Sequence, residues 1–207
     1  MKNKHIMRKA SKDRNSNDFY PTPPLATYSL LKNYDIPKQV MEPFAGKGWI
    51  SKELERNNKI VSSSDLYEYD TITSVEFGKD AFDLDYKGRT VITNPPYSSK
   101  IPLKFIQHVV PEVELLCIFL RTTFLESRNR HYFFKENPPT KILTFSDRVN
   151  CAFENDLRKK QIGGMVSYSW FIWDNRINNN DTTLDWLMMK NYEKEWLEEG
   201  LKYYENK

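Results

Sequence analysis

The sequence predicts an α/β chain of the Rossmann-like, doubly wound kind, built on a mostly parallel sheet. Three observations carry this expectation. Apolar runs and amphipathic stretches alternate along the chain, the pattern of parallel strands joined by helices. Two of the runs, Thr90-Val91-Ile92-Thr93 and residues 115–120, have no polar alternation, as expected of strands covered on both faces. A glycine turn, Gly46-Lys47-Gly48, joins a predicted strand directly to a predicted helix.

The elements follow in order. Residues 1–17 read as a basic, flexible arm. Asp18-Phe19-Tyr20-Pro21-Thr22-Pro23-Pro24 reads as a stiff loop, because each proline fixes its own backbone. A helix starts after Pro24 and runs through Tyr28, Leu30 and Leu31. Residues 38–42 form the first strand, Gly46 and Gly48 the turn, and 50–55 the helix that continues from it. A second strand over 59–64 ends at Asp65. A third lies near 74–77, and the fourth leads into Asn94. A helix through Leu103, Phe105, Ile106 and Val109 reaches the fifth strand, 115–120. Then come a helix near 128–134, a strand over 141–145 and a long strand-like run over 165–173. The last stretch, 184–204, has apolar spacing that reads as helix, with Leu187, Trp196 and Leu201 as packing positions.

The length of 207 residues suits one domain over 18–207, with an ordinary hydrophobic core. No apolar stretch is long enough to span a membrane. The N-terminus opens polar and basic instead of with an apolar signal core, so a soluble, cytoplasmic protein is expected. Cys117 and Cys151 stand far apart, and His5, His108 and His131 are scattered. No disulfide and no metal site is expected. Net charge is only +3, but Lys2, Lys4, Arg8, Lys9, Lys12 and Arg14 crowd the arm. Such a cluster can neutralise phosphates, although a solvated terminus has the same composition.

Two motifs carry chemistry. Asn94-Pro95-Pro96-Tyr97 follows the fourth strand, and open α/β sheets bind ligands beyond the carboxyl ends of their strands. The Asn side chain offers an oxygen that accepts a hydrogen bond from an NH2 group. Prolines donate no N–H, so the carbonyl oxygens there face a ligand without competing donors. Tyr97 offers a ring on which a flat base can stack. The second motif is Glu42-Pro43-Phe44-Ala45-Gly46-Lys47-Gly48, with Asp65 about 20 residues beyond the turn at the end of the next strand, where a carboxylate can bind ribose hydroxyls. The turn lacks both the third glycine of a dinucleotide fingerprint and the Lys-Ser/Thr ending of a phosphate loop. That combination points to an adenosine-containing cofactor other than NAD or ATP.

Together these residues resemble the class I S-adenosylmethionine-dependent methyltransferases, specifically the DNA adenine-N6 family, over residues 18–173. Asn94-Pro95-Pro96-Tyr97 matches the catalytic motif and Glu42-Pro43-Phe44-Ala45-Gly46-Lys47-Gly48 the cofactor motif. Tyr20-Pro21-Thr22-Pro23 is similar to the segment that precedes the cofactor motif. Arg121-Thr122-Thr123-Phe124-Leu125-Glu126 and Trp170-Phe171-Ile172-Trp173 are similar to small phage-type members. The resemblance implies S-adenosylmethionine as cofactor, nucleic acid as partner, and a bacterial or phage-infected host cell. It implies Asn94, Pro95, Pro96 and Tyr97 as catalytic residues. Glu42, Phe44, Ala45, Gly46 and Gly48 would surround the methionine and ribose of the cofactor, and Asp65 its ribose hydroxyls. Asp80, with Phe82, would contact the adenine, and Asp83 is the rival for that role. Tyr20 and Thr22 would help close the pocket.

The chain departs from sequence-specific members, which carry a sizeable target-recognition region. Recognition is left to short loops at 98–100, 128–135 or 148–160, or to the basic arm. The same Asn-Pro-Pro-Tyr/Phe motif serves methyltransferases of RNA guanine amines and of protein glutamine amides. A module that has lost transfer but keeps binding is the non-enzymatic alternative.

Overall fold

A computed structural model describes residues 20–98, 100–153, 157–158, 161–178 and 181–205. The expected basic arm at 1–17 lies outside the described residues. So do Asp18, Phe19, Ser99 and part of the expected 148–160 loop.

Eight strands form one sheet in the order β3-β2-β1-β4-β5-β7-β6-β8. They are β1 Gln39–Glu42, β2 Ile60–Asp65, β3 Glu76–Phe77, β4 Thr90–Thr93, β5 Leu115–Arg121, β6 Lys141–Phe145, β7 Tyr168–Asp174 and β8 Thr183–Leu187. Only β7 runs against its neighbours, pairing antiparallel with β5 and β6. The other pairings are parallel. The chain moves outward from β1 through β2 and β3, then returns to the other side of β1 as β4. Met41 of β1 stands beside Val91 of β4. The loops that leave these two strands therefore part in opposite directions and open a crevice between them, the usual ligand position in such a sheet.

The central strands are covered on both faces, which explains their unbroken apolar runs. Along β5, Leu115, Cys117 and Phe119 join one buried cluster with Leu25, Leu54 and Trp170. Leu116, Ile118 and Leu120 join the other, with Phe105, Val109 and Phe171. The period of two sends alternate side chains to opposite layers. Helices α1 Pro24–Asn33 and α2 Trp49–Arg56 lie on the first layer, and α3 Ile101–Val109 and α4 Arg128–Glu136 on the second. Pro24 opens α1, where its missing N–H costs nothing.

Two expectations are corrected. Residues 184–187 are not helical. They belong to β8, which adds to the sheet edge in register with β6, from Lys141 beside Thr183 to Phe145 beside Leu187. Helix starts only at α5 Lys190–Glu195, where the Asp147 carboxylate accepts the N–H groups of Met189 and Lys190 at 3.1 and 2.9 Å. A π turn, Trp196–Gly200, carries α5 into α6 Leu201–Glu205 and buries Trp196, whose indole donates to Glu53 at 3.2 Å. Leu187 and Trp196 are buried, and Leu201 packs at the margin of the core, as their spacing predicts. The strand expected from 165 begins at Tyr168, and Met165 is exposed.

Candidate active site

The glycine turn after β1 is closed by its own hydrogen bonds. Ala45 donates to the Ser64 carbonyl at 3.0 Å, and Gly46 donates to Asp65 Oδ2 at 2.9 Å. The other Asp65 oxygen accepts from Tyr67 N–H at 2.9 Å. The buried Glu42 carboxylate accepts the Ser51 N–H at 2.8 Å and also the Ser51 hydroxyl. That N–H belongs to the first turn of α2, where no intrahelical carbonyl can reach it. Burial pushes the Glu42 carboxyl well above the usual carboxylate range, while the Ser51 donors pull the other way.

Gly46 and Gly48 both have positive φ, 54° and 85°. At Gly48 a Cβ would also stand 2.7 Å from Thr73 Cγ2, so this position needs glycine for space as well as for conformation. The turn thus leads tightly from β1 into α2, with Ala45, Gly46 and Gly48 all buried. Phe44 of the turn packs edge-on against Phe105 with ring centroids 4.9 Å apart, and Phe82 meets the same ring at 6.0 Å. Asp80 is half-buried and caps the short turn Ala81–Asp83 by accepting Phe82 N–H at 3.0 Å, whereas Asp83 is exposed.

The turn after β4 is built differently. Asn94 Nδ2 donates to the Tyr20 carbonyl at 2.8 Å and to Thr22 Oγ1 at 2.9 Å. Both protons of the amide are used, which fixes its orientation. The opposite atom, Asn94 Oδ1, is buried and has no hydrogen-bond partner among the described residues. A buried acceptor without a donor carries a desolvation cost. The Tyr20-Pro21-Thr22 segment therefore has a role that its sequence did not suggest: it holds the Asn94 amide. Pro95 is buried and Pro96 half-buried. Tyr97 stacks on Tyr20 at 6.0 Å with 23° between the planes, and stands 6.2 Å from Tyr168. Burial raises the Tyr97 phenol well above its ordinary value.

Sequence reasoning missed two residues here. Ser51 anchors Glu42, as above. Arg121 ends β5 with its guanidinium 5.3 Å from the Tyr97 ring and 5.4 Å from the Tyr20 ring. Its signal was a charge placed directly after an unbroken apolar strand. Of the expected recognition loops, 128–135 is not a loop. Ser127 caps a helix there by accepting Asn129 N–H at 3.2 Å. Of the expected 148–160 loop, Val149 bridges Ile162, and just beyond the loop the buried Gln161 accepts the Leu25 N–H of α1 at 2.8 Å. Cys117 and Cys151 are free and buried, and burial pushes the Cys151 thiol up to about 12. Among the described residues no group of three or more His, Cys, Asp or Glu side chains is arranged to hold a metal ion. No described helix is long and apolar enough to cross a membrane.

No protein-family model and no curated protein matches the chain. Solved structures do. One is a Listeria monocytogenes protein described as a class I S-adenosylmethionine-dependent methyltransferase, with TM-score 0.53 and 13% identity over 87% of this chain and 69% of that one. A second is the M protein of the type I restriction enzyme EcoKI, with TM-score 0.53 and 15% identity over 78% of this chain. The match spans only 45% of that M protein. A third is a Pyrococcus horikoshii protein described as an RNA methyltransferase, with TM-score 0.54 and 14% identity over 81% of this chain and 91% of that one. The fold is that of the class I methyltransferases.

Proposed function

We propose that this chain, through residues 18–207, is an S-adenosylmethionine-dependent N-methyltransferase acting on the exocyclic N6 amine of adenine in DNA. The observation that carries the proposal is the unpartnered, buried Asn94 Oδ1, held in place beside the glycine turn. The cofactor fits the residues present. Ala45, Gly46 and Gly48 make the tight turn between β1 and α2 beside which the cofactor would lie, with Glu42 and Asp65 holding the turn in shape. Tyr20, Phe44 and Phe82 supply apolar wall, and Asp80 is the better of the two aspartates for the adenine because Asp83 points to solvent.

When bound, S-adenosylmethionine supplies an electrophilic sulfonium methyl. The rest falls to the chain. An aromatic amine is a weak nucleophile because its lone pair is delocalised into the ring. Asn94 Oδ1 and the Pro95 carbonyl accept its two N–H bonds and favour the pyramidal form, in which the lone pair is free. Both contacts strengthen as positive charge grows on nitrogen, which is selective stabilisation of the transition state. Pro96 stiffens the turn so that the two acceptors keep their spacing. Tyr97, set by Tyr20 and Tyr168, stacks on the base once it leaves its duplex. Proximity of amine and methyl supplies much of the remaining acceleration. The surplus proton passes to water.

A second reading changes only the polymer. The Pyrococcus horikoshii neighbour described as an RNA methyltransferase is matched over 91% of its length, against 45% for the restriction M protein. That likeness is what motivates the reading of an RNA amine as substrate. The test is methyl transfer from labelled S-adenosylmethionine to unmethylated double-stranded DNA, single-stranded DNA and RNA, with nucleosides identified by mass spectrometry. N6-methyladenine from DNA is the expected product. A methylated base only from RNA selects the second reading. No methylated nucleoside from any polymer, with cofactor binding intact, overturns both.

A further inference from the structure

A cavity of about 600 Å³ opens beside Tyr97, between the start of α3, the end of β5 and the start of α4. Its cations are Lys100, Arg121 and Arg130, and no acidic residue lines it among the described residues. Leu103 and Phe124 give it an apolar wall.

Its two arginines are held differently. Arg130 is tied to backbone carbonyls, with Phe124 at 2.6 Å and Glu126 at 2.8 Å, and lies 4.3 Å over the Phe124 ring. It is part of the wall. Arg121 is half-buried, its Nε is buried without a hydrogen-bond partner, and no carboxylate among the described residues forms an ion pair with it. Arg56, Arg158 and Arg176 each pair with a carboxylate. The Tyr20 and Tyr97 rings and the Tyr168 side chain hold this half-buried guanidinium without supplying a counter-charge, and its planar fork suits phosphate oxygens. The volume lies within the range of small-ligand pockets and exceeds what one phosphate needs.

We infer that this cavity is a subsite for the nucleotide next to the target base, with Arg121 gripping its phosphate and the Leu103–Phe124 wall receiving its base. The inference rests on the nucleic-acid reading above. It gives the chain a recognition element made by its own fold, without an added domain. Arg121, already against the Tyr20 and Tyr97 rings, would couple the position of that phosphate to the ring on which the target base stacks.

The test is binding of a fluorescent, adenine-containing single-stranded oligodeoxynucleotide across a salt series, for wild type, Arg121→Gln, Arg121→Lys and the distant surface variant Lys194→Gln. Arg121→Gln should weaken binding about tenfold at low salt and lower the log–log salt slope by about one, the mark of one lost phosphate contact. Arg121→Lys should restore most of the slope, and Lys194→Gln should leave it unchanged. An unchanged slope in Arg121→Gln, with cofactor still bound, overturns the subsite while leaving methyl transfer standing. Wild type that binds neither this oligodeoxynucleotide nor its RNA counterpart overturns both the subsite and the nucleic-acid reading. Tight binding of inorganic phosphate that Arg121→Gln abolishes, with oligonucleotide binding intact, reassigns the cavity to a free anion and overturns the proposal.

Discussion

The turns after β1 and β4 follow the carboxyl ends of two adjacent interior strands, yet they are finished in opposite ways. The glycine turn spends its polar groups on itself. Glu42 is committed to Ser51, and Asp65 to Gly46 and Tyr67. The Asn94 turn is braced from outside by Tyr20 and Thr22 and keeps one buried acceptor open. The first geometry preserves a backbone shape against which a cofactor can lie. The second fixes the Asn94 amide and leaves its oxygen without a partner among the described residues. Pre-organisation of shape and pre-organisation of charge are separate tasks, and this chain assigns them to separate turns.

Substitutions at the two turns should therefore fail differently. The largest effect on the shape side is expected at Gly48. Gly48→Ala places a Cβ against Thr73 and forces an L-residue into left-handed backbone. Together these should cost about 2–3 kcal/mol of stability and at least tenfold in cofactor affinity, read by thermal unfolding and calorimetry. Gly48→Ala with Thr73→Ser removes the clashing methyl and should recover only the steric part. Full recovery would show that conformation is unimportant there.

Asp65→Ala should cost about 2 kcal/mol, because two backbone N–H groups lose their acceptor. Its effect on transfer should follow from weaker cofactor binding, with the saturated rate little changed.

Thr22→Val acts on the other turn. It removes one of the two acceptors that orient the Asn94 amide at little change in volume. The saturated transfer rate should fall about tenfold, about 1.4 kcal/mol, with cofactor affinity unchanged. A loss confined to cofactor affinity would show that Thr22 serves the glycine turn instead.

The smallest effect is a pH slope at Glu42. Its folded carboxyl holds a proton above the range in which the unfolded chain releases it. The native state then binds more protons, so this contribution is full below the usual carboxylate range and is lost as pH rises through the raised folded value. Glu42→Gln should flatten the fall of thermal stability with rising pH. An unaltered slope would mean that Ser51 keeps the group ionised.

The strands that bury both faces were legible in the sequence, because a run such as residues 115–120 leaves no polar side for solvent. Strand β8 was not legible. Leu184 and Trp186 are exposed and Leu187 is buried, a spacing that fits helix as well as strand. Pairing with β6 decides the outcome, and pairing is invisible in local pattern. At the site, the sequence marked the correct strand ends because turn chemistry is local. The partners of each group were hidden, since Asn94 meets Thr22 across 72 residues and Glu42 meets Ser51 only after α2 has formed. The place of Arg121 was hidden for the same reason: its segment was marked, but nothing in its neighbourhood in sequence shows that two tyrosines frame it.

The most direct measurement is single-turnover methyl transfer by Asn94→Ala, beside calorimetric titration of S-adenosylmethionine into the same preparation. The account predicts transfer slowed by about 10²–10³-fold or more, as when a single charge-stabilising contact is removed, with cofactor affinity within about twofold of wild type. Transfer at the wild-type rate by a variant that lacks Oδ1 would contradict it.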